Sequence, residues 1–347
     1  MAHKRAVGRL VVVGTGITAV SHMTLETVGH IKAADVVFYV LPNAVTAAHV
    51  RQLNANAIDL RGYYGDDKER KTTYLQIAEV MLRQVRQGRH VVGVFAGHPG
   101  FLVMAARRAL AIADMQGYEA QLLPAVSSID CLFADLRIDP GLRGVQILKA
   151  GLVLRKEAAL ATTGHVILLQ VDSVGDGTFS FEGFKHPQHE VFIQRLIEQY
   201  GARHEAVSYA AALLPCSAPT IVARPLAEYL DHVPWRTIPG TLYLPPAGMT
   251  LRSVVAAESL NDGLPYGQSE KLALAEVDNH PMPGAYKPVL VSQDMLGVMT
   301  EIGTDPEIAR AFRLAPRDYL SRWPGLKNEE KEALLDRVRP APQSSGG

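Results

Sequence analysis

Cysteine is nearly missing: 347 residues contain two, Cys131 and Cys216. Two thiols cannot build a disulfide framework or a four-thiolate zinc site, and a reducing, cytoplasmic setting is expected. An excess of either charge is missing as well, since Lys plus Arg and Asp plus Glu each number 35. No global field draws the chain to nucleic acid or to an anionic membrane, and neither is expected as a partner. Long apolar runs are lacking too. The run Leu10 to Val13 stops at Gly14, no secretory segment forms at the start, and no stretch reaches the roughly 20 residues of a membrane span. His-Glu-x-x-His, paired Cys-x-x-Cys and Gly-x-Ser-x-Gly are absent, so metal and serine hydrolysis lack their signatures and no metal is expected.

What is present is a 48% hydrophobic, 20% charged chain with the balance of an ordinary globular protein, long enough for two or three units. Leu10-Val11-Val12-Val13 reads as a buried strand closed by the turn Gly14-Thr15-Gly16, with a helix expected after it and a second strand at Val36 to Val40. A helix from about Arg70 to Arg86, a strand Val91 to Phe95, a helix in Leu102 to Ala113 and a strand at Glu119 to Leu123 continue an α/β alternation. After Asp139-Pro140-Gly141, a second α/β unit is read from the strand Gly164 to Val171, the helix His189 to Tyr200, and the strands Glu205 to Ala211, Thr220 to Val222 and Gly240 to Leu244. The expected division is 1–137 and 138–246 for the two α/β units and 247–286 for a connecting arm. A helical unit at 287–338 and a flexible Pro, Ser and Gly-rich tail at 339–347 complete it.

Three motifs carry chemistry. Gly14-Thr15-Gly16 lacks the third glycine of a dinucleotide loop, because position 19 is Ala, and a plain turn is the better reading. Gly97-His98-Pro99-Gly100 falls at the carboxyl end of a strand, where open α/β sheets bind ligands, though a structural turn would look the same. Arg70 and Tyr74, four apart, share a helix face, with Tyr64 on the loop before them. A guanidinium beside a phenol favours phenolate and general-base work, although packed tyrosines beside a solvated arginine fit the same pattern.

These motifs also carry a resemblance. Val-Gly-Thr-Gly-Ile, Met23-Thr24-Leu25-Glu26, Ala33 to Val37 and Gly97-His98-Pro99-Gly100 resemble tetrapyrrole methylases over about the first 245 residues. Tyr63 to Lys68, Arg70 to Tyr74, Val92 to Phe95 and Asp130 to Leu136 resemble, more narrowly, the borosin peptide N-methyltransferases. The resemblance implies an α/β methyltransferase of two subdomains with a small C-terminal all-helical domain. It implies S-adenosylmethionine in the cleft, leaving as S-adenosylhomocysteine, and by motif position gives it His98, Pro99, Leu102, Val103, Ser127, Ser128 and Gln170, with Ala211, Gly240 and Thr241 as weaker matches. Tyr64, Arg70 and Tyr74 take the family's catalytic positions: base, electrostatic support and orienting donor for an amide nitrogen.

One departure stands out. Where the family typically has Phe-Tyr-Gly-His-Pro, this chain has Phe95-Ala96-Gly97-His98-Pro99, without the phenol. The resemblance further implies a homodimer and a peptide substrate, either the chain's own C-terminal tail or a separate precursor, yet residues 339–347 lack an apolar Val and Ile run. A small-molecule methylase of the tetrapyrrole type and a silent peptide-binding scaffold remain as alternatives.

Overall fold

The computed structural model describes residues 8–231, 240–260 and 291–336, with Val277, Gly284 and Ala285. Its first unit runs β1 (Arg9–Gly14), α1 (Leu25–Ala33), β2 (Val36–Val40), α2 (Ala44–Leu53), β3 (Ala57–Asp59), α3 (Arg70–Arg86), β4 (His90–Phe95), α4 (Met104–Met115) and β5 (Glu119–Leu122). The strands form an all-parallel sheet in the order β3-β2-β4-β1-β5. β1 is apolar from Leu10 to Val13 because both its faces are covered. Leu10 and Val12 pack with Ile77, Met81 and Ala106 beneath α3 and α4, and Val11 and Val13 with Ile31 and Val50 beneath α1 and α2. The neighbours β1 and β4 send their next connections to opposite sides, β1 past β4 to β2 and β4 past β1 to β5. Their carboxyl ends are therefore a topological switch point, the usual ligand position in such sheets.

The second unit contains α5 (Ser128–Leu136), α6 (Pro140–Arg143), β6 (Val145–Lys149), α7 (Ala150–Leu154), β7 (His165–Leu169), α8 (His189–Tyr200), β8 (Glu205–Ala210), β9 (Thr220–Pro225), β10 (Thr241–Leu244) and α9 (Leu251–Ser259). Its sheet is ordered β6-β7-β10-β8-β9. Only β6 and β7 are parallel; β10 is antiparallel to both β7 and β8, and β8 to β9. The second α/β unit read from the sequence is thus built on a mixed sheet. One face packs Leu168, Leu242 and Phe192 of α8, and the other packs Ile167, Tyr243 and Leu132 of α5.

The stretch read as an arm from Ala247 begins with α9, which is packed: Val254 is fully buried in the second unit's core. Glu258 is buried too, 3.1 Å from His165 Nε2 and 3.3 Å from Arg143 Nε. The rest of that arm to Tyr286, apart from Val277, Gly284 and Ala285, lies outside the described residues, as do residues 339–347. The C-terminal helices α10 (Gln293–Thr304), α11 (Pro306–Leu314), α12 (Pro316–Leu320) and α13 (Asn328–Leu335) surround Val298, Phe312, Tyr319, Leu320 and Leu326. Asp305 caps α11, accepting from Glu307 and Ile308 amides at 2.9 and 3.2 Å, with Pro306 at the first helical position. This unit docks on α1, and Arg9 at the start of β1 pairs with Glu307.

Candidate active site

A connecting loop, not a helix, follows Gly14-Thr15-Gly16: α1 starts only at Leu25, capped by Thr24. The helix read from Thr24 and Leu25 thus begins where its spacing placed it, and the loop before it does other work. Gly97 N–H donates to the Gly16 carbonyl at 2.9 Å, tying the ends of β1 and β4 together. A methyl on Gly14 would lie 2.1 Å from the Gly97 oxygen and 2.7 Å from Pro99 Cδ, so only glycine allows this approach. His98 Nδ1 accepts from Gly100 N–H at 3.0 Å, which shapes the turn. From the second unit, Ala212 and Leu213 carbonyls accept from Thr18 Oγ1 and Ala19 N–H, each at 2.9 Å, and close the opposite wall.

Tyr64, Arg70 and Tyr74 come together, as their spacing required. α3 begins at Arg70, which puts Arg70 and Tyr74 one turn apart, and Tyr64 ends a short 3-10 turn before it. The Tyr64 and Tyr74 rings meet edge to face, 6.4 Å apart, and Tyr64 also packs on Phe179 at 4.7 Å. Burial pushes the Tyr64 phenol up to about 12; Tyr74 adds to this and Arg70 opposes it. Burial also raises Tyr74, against Arg70. The expectation that Arg70 would bring the Tyr64 phenol below its ordinary value is overturned, because desolvation outweighs a guanidinium turned elsewhere.

Arg70 faces the second unit. Its Nη2 donates to the Asp176 carbonyl, its Nε to the Gly177 carbonyl at 3.3 Å, and its guanidinium lies 5.5 Å over the Phe184 ring. The same crossing continues through Asp67 N–H to the Phe179 carbonyl at 2.9 Å and Phe179 N–H to the Lys68 carbonyl at 3.1 Å. Residues 66–70 and 176–181 thus form a strap that joins the units over the cleft. Asp172, behind it, is 6% exposed. Burial lifts its carboxyl to about 6, while backbone N–H bonds, one from Gly240, and the charge of Arg70 hold it from rising further.

Two cavities meet here. The inner one, about 230 Å³, is bounded by Tyr64, Tyr74, Phe95, Ala96, Leu102 and Val103. The outer one, about 740 Å³, shares Tyr74, Leu102 and Met104 with it and adds Arg70, Lys149 and Gln170 among others. Leu102 and Gln170 both hold left-handed backbone, φ +57° each, a cost of about 1–3 kcal/mol per residue of the kind that collects at binding sites. Ala96 leaves open the side of the inner cavity where a phenol would otherwise stand.

Of the residues assigned to the donor, Leu102, Val103 and Gln170 line these cavities, whereas His98, Pro99, Ser127, Ser128, Ala211, Gly240 and Thr241 line neither. Gln170, Ala211, Gly240 and Thr241 do share one end of the second sheet's inner strands, since Thr241 pairs with both Leu169 and Tyr209. Ser127 is occupied in a capping box: its Oγ accepts from Ile129 and Asp130 amides, and Asp130 accepts from the Ser127 amide at 2.6 Å. Sequence reasoning missed Asp172, Phe179 and Lys149. The signal was position, since Lys149 ends β6 and Asp172 follows its parallel partner β7 at the carboxyl end.

Comparison with known proteins gives these features a context. Residues 9–213 match the family described as Tetrapyrrole (Corrin/Porphyrin) Methylases, and residues 265–341 match the Borosin biosynthesis clasp domain. A methyltransferase and ribosomally synthesized precursor of the gymnopeptides cyclic peptides from Gymnopus fusipes is 35% identical over 95% of this chain and 85% of its own length. A methyltransferase and type III borosin cyclic peptide precursor from Anomoporia bombycina is 36% identical over 94% of this chain, which spans 41% of that relative's length. Among solved structures, a diphthine synthase matches 72% of this chain and 95% of its own with a TM-score of 0.50 at 11% identity, a likeness of fold alone.

Proposed function

The chain belongs to the tetrapyrrole methylases, and from that premise we propose that it transfers methyl groups from S-adenosylmethionine to backbone amide nitrogens of a peptide. The observation that carries this reading is the meeting of Tyr64, Arg70 and Tyr74 where the two cavities join, beneath a strap that spans both units. The switch point fits a donor: Gly14, where a Cβ would strike the Gly97 carbonyl, and Gly97, with φ +68°, bring the backbone at the ends of β1 and β4 close together. Leu102, Val103 and the strained Gln170 would hold the donor, with the loop His98-Pro99 and the turn Ser127-Ser128 behind them. Bound there, it supplies an electrophilic methyl group.

The rest is the work of the chain's own side chains. An amide nitrogen is a poor nucleophile until its proton leaves and the charge on its carbonyl oxygen is stabilised. Tyr64 accepts that proton as phenolate, Arg70 supplies positive charge toward the oxygen, and Tyr74 orients the amide through its hydroxyl. The raised pKa of Tyr64 makes its phenolate scarce at neutral pH but strongly basic once formed.

The relatives named above are precursors as well as methyltransferases, which favours a peptide substrate over a tetrapyrrole, whether the peptide is a tail of the same chain or a separate precursor. A homodimer in the cytoplasm completes this reading; light scattering that gives a monomer at micromolar concentration would remove the dimer from it. Calorimetry with S-adenosylmethionine, followed by intact mass after incubation with peptide, tests the whole. Donor binding with mass gain in methyl steps supports the reading, and no donor binding ends it.

A further inference from the structure

Positive charge gathers in the outer cavity although the chain as a whole is balanced at 35 of each sign. Five cations line the cavity: Arg70, Lys71, Arg107, Lys149 and Arg155. Glu69 and Asp176 are its carboxylates, and Asp176 Oδ1 is already taken by Thr178 N–H and Oγ1 at 2.8 and 2.7 Å. Arg155 is neutralised by Glu157 through bonds of 2.8 and 3.0 Å. Arg70 spends its donors on carbonyl oxygens and makes no ion pair, although Asp172 and Asp176 both feel its charge. Among the described residues, no carboxylate lies within ion-pair distance of Arg70, Lys71, Arg107 or Lys149. Burial, then the fields of Arg70 and Arg155, lower the affinity of Lys149 for its proton, so these charges overlap in space.

We propose that this outer cavity is a carboxylate-recognising subsite, centred on Lys149 and Arg107, which selects peptides with an acidic side chain close to the amide being methylated. The proposal rests on the reading of the inner cavity as the methylation site. The two cavities share Tyr74, Leu102 and Met104. A peptide extended at about 3.3–3.6 Å per residue therefore carries its neighbouring side chains from one into the other. A carboxylate there exchanges water for cations that already repel each other, and in a partly enclosed cleft such a contact is screened less than on open surface. The donor's own carboxylate is the other source of this chemistry, but it arrives with an ammonium group, which the same cations disfavour.

The test uses the full chain and two fluorescent synthetic peptides of valine and glycine, identical except for Glu or Gln two residues from the central valine. Anisotropy should show the Glu peptide binding at least tenfold more tightly, with the advantage lost in high salt. Lys149→Gln should bring the ratio close to one, and Lys149→Glu should instead favour a Lys peptide, while the donor dissociation constant from calorimetry stays within twofold. Equal binding of the two peptides overturns the proposal, and so does a Lys149→Gln effect confined to the donor, which would assign the subsite to the donor's carboxylate. A Glu preference in binding with no methyl transfer to either peptide would instead overturn the methylation reading, so the two failures are distinguishable.

Discussion

Tyr64 and Tyr74 meet edge to face with ring centroids 6.4 Å apart and planes at 75°. Neither phenol is brought toward ionisation by this arrangement, because burial raises both and carries Tyr64 to about 12. If Tyr64 works as phenolate, methyl transfer should rise roughly tenfold per pH unit from neutral to about pH 11, past the levelling near pH 10 that an ordinary phenol would give. Tyr64→Phe should lower the rate by about 10²–10⁴-fold and leave donor binding unchanged. A pH-independent rate, or a Phe variant with undiminished turnover, removes Tyr64 from the chemistry.

Arg70 is expected to do two things, hold the strap and supply charge. Arg70→Lys keeps the charge but cannot reach the Asp176 and Gly177 carbonyls as a planar fork. Hydrogen exchange at the amides of Asp67 and Phe179, which close the strap, should therefore speed up in Arg70→Lys, and turnover should fall with it. Unchanged exchange in this variant would mean the strap holds without the arginine.

Asp172 gives a stability prediction with a definite sign. Its folded pKa of about 6 lies above its ordinary value of 3.8, so its contribution is full below pH 4 and is lost as pH rises through 6. Asp172→Asn keeps an acceptor for Gly240 N–H and removes the buried charge. It should stabilise the fold by up to about 3 kcal/mol at neutral pH, with no gain near pH 4. Urea midpoints at the two pH values check this; a variant less stable at neutral pH contradicts the burial argument.

Gly29 separates a docked from an undocked helical unit. A methyl there would lie 1.9 Å from the Thr304 carbonyl oxygen, at the contact of α1 with the end of α10. Gly29→Ala within a free helix would stabilise by about 1 kcal/mol, whereas overpacking at a docked interface costs about 1–3 kcal/mol. Thermal unfolding should show a loss of stability; a gain would mean the helices do not sit on α1.

Much of this architecture is legible in the sequence wherever burial is two-sided or periodic. Leu10 to Val13 reads as a central strand because each residue meets a covered face, and α8 reads from His189 to Tyr200 because Phe192, Ile193 and Leu196 repeat at helical spacing. α2 is hidden, since only Thr46, Ala47 and Val50 are buried, and β3 is a three-residue edge strand with Ile58 exposed. The antiparallel pairing of β8, β9 and β10 leaves no local mark, because strand direction is settled by partners distant in sequence. The proposed trio of Tyr64, Arg70 and Tyr74 is legible as a spacing, but not its electrostatics: that Arg70 turns to the carbonyls of Asp176 and Gly177, more than a hundred residues away, cannot be read from Tyr64 and Tyr74 alone.

The central claim is transfer of methyl to backbone nitrogen. Tandem mass spectrometry of a peptide incubated with the full chain and S-adenosylmethionine, with Tyr64→Phe in parallel, tests it most directly. The account predicts methyl groups assigned by fragment ions to residues such as valine or glycine, whose side chains offer no acceptor, and almost none with the variant. Methyl groups found only on nucleophilic side chains, or none on any peptide while a tetrapyrrole is methylated, would contradict it.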